Sequence, residues 1–184
     1  MSLTSQLVEE TFDASGMRFA LVAARFNGPI VERLVDGAIK CLKRHGVEEW
    51  KLVWVPGSFE LPLVAKKLAE LGQYDAVICL GAIIRGDTAH FDHVATQTAS
   101  GILQASLSTG VPIIFSVLTT ENVAQAEARS KIMEHPIDMC DAFDVKCNKS
   151  SYTGNNGYSG ALAAIEMVHV MKQFSREELC DLKG

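Results

Sequence analysis

A stretch that could bind and convert an anion lies near the middle of the chain, where an apolar run gives way to a helical pattern. Gly86 can adopt a positive φ angle, and Asp87 and Thr88 can cap a helix that begins near His90. The first N–H groups of such a helix favour a bound anion. Arg85 adds a positive charge, and His90 adds a side chain that can carry a proton at neutral pH. This combination suggests chemistry on a phosphorylated substrate.

Each of these residues also has a simpler structural interpretation. Arg85 could form an ion pair instead of binding phosphate, and Arg129 has the same two interpretations. His90 could be a solvated residue at a helix N-terminus. His90 and His93 are three residues apart with Asp92 between them, which raises the question of a metal site. No third ligand has supporting spacing, so we assign no metal ligand.

Two residues that follow other predicted strands could also contact a ligand. Phe26 could stack on a planar heterocycle, or it could be a hydrophobic lid or core residue. Glu60 could accept hydrogen bonds from ligand hydroxyls, or its charge could favour the N-terminus of its own helix. The residues alone leave both alternatives open.

Apolar runs alternate with helical patterns and predict the elements that position these residues. Strands are predicted at 18–23, 52–55, 76–80 and 111–117, the third ending before Gly81. Helices are predicted at 30–46, 61–71, 90–110 and 159–174, and after Asn122, which has capping-box spacing to Gln125. The alternation predicts an α/β fold: a single-domain three-layer sandwich with a four-stranded, mainly parallel sheet, flavodoxin-like. A ligand is then expected beyond the carboxyl ends of the strands.

The whole chain sets further bounds on function. Its 184 residues suffice for one domain (1–184), and its net charge of −5 argues against general nucleic-acid or anionic-membrane binding. Five cysteines without CxxC spacing fit neither a disulfide framework nor a zinc site, and they favour a reducing, cytoplasmic setting. The start is polar and acidic, unlike a signal peptide, and no apolar run could span a bilayer. The periodic signal fails after Ser130, so a long excursion is expected at about 130–153.

Known phosphate-binding motifs do not explain the central loop. It lacks the Gly-Lys-Ser/Thr of a Walker motif and the GxGxxG spacing of a dinucleotide site. Nucleotide hydrolysis and hydride transfer therefore lose support. The residues alone indicate an anion-binding, histidine-bearing site and do not name its substrate.

Five segments in order resemble the 6,7-dimethyl-8-ribityllumazine synthase family of riboflavin biosynthesis. They are RFN at 25–27, VWVPGSFE at 53–60, LGAIIRGDTAHFD at 80–92, TTEN at 119–122 and AIEM at 164–167. The resemblance implies a transferase that condenses 5-amino-6-ribitylaminouracil with 3,4-dihydroxy-2-butanone 4-phosphate, through imine formation, loss of phosphate and ring closure. It implies no metal and no organic cofactor.

The resemblance also implies site residues. His90 and Arg129 are the implied catalytic residues, His90 moving protons and Arg129 holding the phosphate. The implied substrate-binding residues are Phe26, Asn27, Ser58, Phe59, Glu60, Ala82, Ile83, Ile84, Gly86, Asp87, Thr88, Phe115 and Arg129. By analogy, one subunit supplies Phe26, Glu60 and His90, and the next supplies Phe115 and Arg129.

One departure from the family pattern concerns both catalysis and assembly. Asn156 stands where the family has a lysine, and the long excursion replaces a short connection. Lys131, Lys146 or Lys149 could supply the missing cation, or activity is weak.

The family forms pentamers and, in some members, icosahedral shells. The insertion should obstruct a shell, so we expect a pentamer or a pair of pentamers. Its other implied partners are the small-molecule substrates and, as a candidate, riboflavin synthase.

Three rival hypotheses remain at this stage. The first is a flavin-binding protein that has lost turnover, which the retention of His90, Arg129 and Glu60 disfavours. The second is a structural shell subunit, for which the insertion is unfavourable. The third is a metal-dependent hydrolase that depends on His90 and His93 alone.

Overall fold

The computed structural model describes residues 12–131 and 154–174, which form an all-parallel four-stranded sheet between two layers of helices. The strands are β1 (Phe19–Ala24), β2 (Trp50–Val55), β3 (Ala76–Ile84) and β4 (Ile113–Thr120). Their spatial order is β2-β1-β3-β4, so β1 and β3 are central. The prediction of an α/β sandwich is confirmed, with a sheet that is parallel throughout.

Helices cover both faces of the sheet. They are α1 (Gly28–Arg44), α2 (Leu61–Glu70), α3 (His90–Thr109), α4 (Val123–Ala128) and α5 (Asn156–Lys172), and a short 3₁₀ turn covers Ser58–Glu60. One core lies between the sheet and α1 with α5, and it contains Leu21 and Ile78. The other lies between the sheet and α2 with α3, and it contains Val22 and Cys79. Because β1 and β3 are covered on both faces, their sequences are almost wholly apolar.

The helices α1 and α5 cross at very short range because glycines lie at the crossing. A Cβ atom on Gly157 would collide with the backbone carbonyl of Leu34, and a Cβ on Gly37 would collide with the Asn155 side chain. Asn155 also caps α5, since its Oδ1 accepts a hydrogen bond from the N–H of Tyr158 at 3.1 Å. This cap explains why α5 begins at Asn156, three residues before its predicted start.

The predicted end of the third strand was wrong. β3 continues through Gly81 to Ile84, and its register pairs Gly81 with Val117 and Ile84 with Thr120. A Cβ at Gly81 would lie 2.7 Å from the Ser58 hydroxyl oxygen. The glycine therefore permits close packing inside the strand and does not end it.

The first described residues lie against the last described helix. The rings of Phe12 and His169 have centroids 5.4 Å apart, and His169 Nε2 lies 3.0 Å from the carbonyl oxygen of Asp13. The predicted excursion lies outside the described residues from position 132 onward. None of the helices in the described ranges has the length and apolarity needed to cross a membrane.

Candidate active site

A cavity of about 600 Å³ opens where the carboxyl ends of β1, β2 and β3 meet. The segments that follow these strands converge there because all strands of the sheet run in the same direction. The sequence-predicted residues that line it are Phe26, Ser58, Phe59, Glu60, Ala82, Ile83, Ile84, Gly86, Thr88 and His90. The cavity therefore lies beyond the carboxyl ends of the strands, where a ligand was expected.

Aromatic rings and a carboxylate form one side of this cavity. Phe26 is 69% exposed and Phe59 is 57% exposed, although both are large apolar side chains. Rings left open at a cavity can take a planar ligand by stacking. Glu60 Oε2 accepts a hydrogen bond from the N–H of Gly57 at 2.9 Å, so one carboxylate oxygen secures the local turn. Glu60 thus stabilises the turn before its own helix and also lines the cavity.

Asn27 connects the ends of the two central strands. It has φ 59° and ψ 38°, and it is the only non-glycine residue with positive φ within the described ranges. Its side-chain Nδ2 donates to the carbonyl oxygen of Ala82 at 2.8 Å. Asn27 is outside the cavity lining, and this bond fixes the turn that presents Phe26.

The central loop and the start of α3 bring Gly86, Thr88 and His90 into the cavity lining. Gly86 does not use the positive φ open to a glycine. The helix α3 begins at His90, as predicted, but its N-cap is Ala89, and no side chain forms the usual cap bond. Thr88 Oγ1 only approaches the N–H of His90 at 3.4 Å. The N–H groups of Asp92 and His93 bond to the carbonyl oxygen of Ala89, so the N-terminus of α3 favours an anion mainly through the positive end of its helix dipole.

Arg85 forms ion pairs, which favours the structural one of its two interpretations. Its Nε donates to Glu121 Oε2 at 2.7 Å, and its Nη2 donates to Asp92 Oδ1 at 3.0 Å. The guanidinium lies 4.1 Å from the centre of the Phe91 ring. The hydrogen bonds from Arg85 hold the pKa of Asp92 below its usual value. The Asp92 carboxylate, which lies between His90 and His93 in the sequence, is therefore engaged in an ion pair with Arg85.

Four predicted site residues do not line this cavity: Asn27, described above, and Asp87, Phe115 and Arg129. Phe115 lies on the edge strand β4 and is 40% exposed. Arg129 directly follows α4, and its carbonyl oxygen accepts a hydrogen bond from the N–H of Asn156 at 2.8 Å. Asn156 Nδ2 donates to the Ser116 hydroxyl at 3.3 Å. The side chain of Asn156, which stands where the family has a lysine, is thus hydrogen-bonded to β4.

Four residues outside the predicted binding set also line the cavity: Gly57, Phe91, His93 and Val94. His93 had been considered only as a metal ligand. His90, His93 and Val94 have the i, i+3, i+4 spacing of one helix face, so this signal could have found them. Within residues 12–131 and 154–174, no three His, Cys, Asp or Glu side chains gather as a metal site requires.

The fold and the cavity together define a class: an α/β protein with a cavity for a small molecule at the carboxyl ends of its strands, lined by aromatic rings, a carboxylate, histidines and a helix N-terminus. Comparison with known proteins narrows this class. The family model described as 6,7-dimethyl-8-ribityllumazine synthase matches residues 16–172. The chain therefore belongs to the 6,7-dimethyl-8-ribityllumazine synthase family, a family of enzymes of riboflavin biosynthesis.

Two relatives show the extent of the similarity. A protein from Clostridium kluyveri named 6,7-dimethyl-8-ribityllumazine synthase is 44% identical over 170 residues, which cover 91% of this chain and 98% of the relative. A protein of the same name from Thermococcus kodakarensis is 42% identical over 173 residues, covering 94% of this chain and 98% of the relative. The similarity thus spans nearly the full length of both relatives.

Proposed function

We propose that this protein condenses 5-amino-6-ribitylaminouracil with 3,4-dihydroxy-2-butanone 4-phosphate to give 6,7-dimethyl-8-ribityllumazine, with release of phosphate. The observation that carries the proposal is the composition of the single cavity described above. It combines two exposed aromatic rings and a carboxylate with a histidine and an uncapped helix N-terminus. These groups suit a heterocycle with a polyol chain and a phosphorylated partner.

In this proposal each side of the cavity holds one substrate. Phe26 stacks on the pyrimidine, while Ser58, Phe59 and Glu60 line its pocket and Glu60 accepts hydrogen bonds from ribityl hydroxyls. Backbone groups of Ala82, Ile83 and Ile84 contact the same ring.

Gly86, Asp87 and Thr88 hold the phosphate near the first N–H groups of α3. His90 moves protons during imine formation and phosphate elimination. Because both reactants share one cavity, proximity supplies much of the acceleration.

Assembly completes the proposed site. Phe115 and Arg129 belong to the implied set and lie outside the cavity of their own chain. On the family analogy we assign them to the cavity of a neighbouring copy, in a homopentamer or a pair of pentamers. Riboflavin synthase is a candidate partner on family grounds. The free, buried thiols of Cys41 and Cys79 fit action in the reducing cytoplasm.

The test is to mix the purified protein with both substrates in the presence of EDTA and to follow the absorbance of the lumazine product. A His90→Ala sample is measured alongside. We expect product from the native protein and a slower rate from the variant, by roughly tenfold to a thousandfold. Product no faster than the non-enzymatic background would refute the proposal, and tight flavin binding in that case would favour a binding protein.

A further inference from the structure

Arg85 connects three parts of the chain that meet beside the cavity. Its backbone N–H donates to the carbonyl oxygen of Thr120 at 2.9 Å, which fixes the main chain at the end of β3. Its Nε donates to Glu121 at 2.7 Å, directly after β4. Its Nη1 and Nη2 donate to the two carboxylate oxygens of Asp92 at 3.2 and 3.0 Å, in the first turn of α3. We call this set of contacts the Arg85 clamp.

The first turn of α3 has no side-chain cap, although Phe91 and Val94 pack against the second core. Its N-cap, Ala89, offers no side-chain hydrogen bond, and the Thr88 hydroxyl lies 3.4 Å from the N–H of His90. The turn is closed by backbone bonds to the carbonyl oxygen of Ala89, at 3.1 Å from Asp92 N and 3.4 Å from His93 N. A helix end without a side-chain cap frays readily unless another contact fixes it.

The clamp reaches the cavity through Phe91. The guanidinium of Arg85 lies 4.1 Å from the centre of the Phe91 ring, a cation–π contact. Phe91 lines the cavity, and so does His90 next to it. Arg85 itself is outside the lining, although Ile84 and Gly86 on either side belong to it. Arg85 therefore contacts a residue that lines the cavity without lining the cavity itself.

We propose that Arg85 is a positioning residue for the reaction: it holds the first turn of α3, and with it His90, in place against the cavity. This proposal rests on the proposed function for its kinetic consequence. All three of its side-chain nitrogens donate to Asp92 or Glu121, and its guanidinium lies over the Phe91 ring. A planar fork suits this task, because lysine cannot bind two carboxylates and stack on a ring at once.

The experiment compares Arg85→Gln, Asp92→Asn, their double variant and Arg85→Lys in the full chain. Lys67→Gln is the matched control, because Lys67 forms an exposed ion pair with Glu70 at 3.0 Å on α2. Steady-state kinetics give kcat and the KM of each substrate. Amide hydrogen exchange at Asp92 and His93 reports opening of the first turn, independently of activity.

We expect Arg85→Gln to lower kcat by roughly tenfold to a hundredfold, because small displacements of a catalytic group carry losses of this size. Any change in the KM of the phosphorylated substrate should be the same within about twofold in Arg85→Gln and Asp92→Asn, because both variants loosen the one turn that faces the phosphate, and exchange at the two amides should accelerate. Arg85→Lys should lie between Arg85→Gln and the native protein. The double variant should be no slower than the slower single variant, because both changes break one clamp.

Two results would overturn the proposal. One is a raised KM for the phosphorylated substrate in Arg85→Gln but not in Asp92→Asn, which would make Arg85 a direct ligand. The other is unchanged exchange at Asp92 and His93 in both single variants. If the native protein forms no product, the proposed function fails, and the exchange data alone then decide whether the clamp holds the turn.

Discussion

The side-chain amide of Asn155 donates a hydrogen bond to the backbone carbonyl of Lys131 at 3.2 Å. The same Nδ2 also donates to the carbonyl oxygens of Ser130, at 3.2 Å, and of Arg33, at 2.8 Å. Asn155 is only 2% exposed and Ser130 is fully buried, so water has little access to the Ser130 carbonyl oxygen as a substitute donor. One buried side chain therefore joins the two flanks of segment 132–153 to each other and to α1.

We predict that Asn155→Ala lowers the free energy of unfolding by about 3 kcal/mol, because it removes the cap of α5 and leaves the buried carbonyl oxygen of Ser130 without the side-chain donor. Urea unfolding at a fixed protein concentration measures the change. Asn122→Ala is the matched control, since Asn122 also caps a helix but is exposed; its Oδ1 accepts the N–H of Gln125 at 2.9 Å. The control should lose about 1 kcal/mol. Equal losses in both variants would contradict the prediction.

Replacement of residues 132–153 by a short Gly-Ser linker should leave the fold intact. Lys131 and Asn155 already lie within hydrogen-bonding distance, so a linker of a few residues can span the gap without strain. Circular dichroism and the thermal unfolding midpoint measure the outcome. An unfolded product would contradict the prediction. A folded variant that binds the phosphorylated substrate poorly would assign the missing cation to Lys146 or Lys149.

Gly157→Ala should destabilise the protein by about 2–4 kcal/mol, because the new methyl group would collide with the carbonyl of Leu34 and push α1 and α5 apart. Gly28→Ala is the control, since a Cβ there meets no atom within 4 Å. The thermal unfolding midpoints of the two variants are compared with that of the native protein. A Gly157→Ala midpoint equal to that of the control would show that the helices can separate at little cost.

Stability should depend on pH through His45. Burial lowers the pKa of His45 below its usual value, with Arg44 acting in the same direction and Asp13 in the opposite one. The unfolded chain therefore binds a proton at a higher pH than the folded protein. The stability from this group is complete above about pH 6.5 and falls as pH decreases toward the folded pKa.

Thermal unfolding midpoints at pH 7.5 and 5.5 test this sign. The native protein should lose more stability over this interval than His45→Gln, which cannot take up the proton. Above pH 7.5 the two proteins should follow parallel curves. An equal loss in both proteins would assign the pH dependence to other groups.

Much of the fold could be predicted because the relevant signals are local. Buried parallel strands need continuous apolar runs, and β1 and β4 were found within a few residues of their bounds. The cap at Asn122 was also correct: its Oδ1 accepts the N–H of Gln125, although Gln125 Oε1 accepts from Glu121 instead of completing a capping box.

The rest depends on contacts between distant residues, which a single sequence does not reveal. Gly81 looked like a strand end, but the approach of Ser58 is what requires a glycine there. Arg85 had two interpretations until Asp92 and Glu121 were placed beside it. The left-handed conformation of Asn27 accompanies a side-chain bond to Ala82, 55 residues away. Family resemblance supplied substrate roles that none of these local signals contains.

The contact between Phe12 and His169 implies that the segments of this fold could be joined in a different order along the chain. The start of the first described range lies against the helix that ends the second, at Phe12 and His169. The end of the first range lies against the start of the second, at Lys131 and Asn155. A circularly permuted gene could begin with α5, join its end to Phe12 by a short linker and finish at Lys131. Every strand would keep its register, so the permuted protein should assemble the same cavity from a rearranged chain.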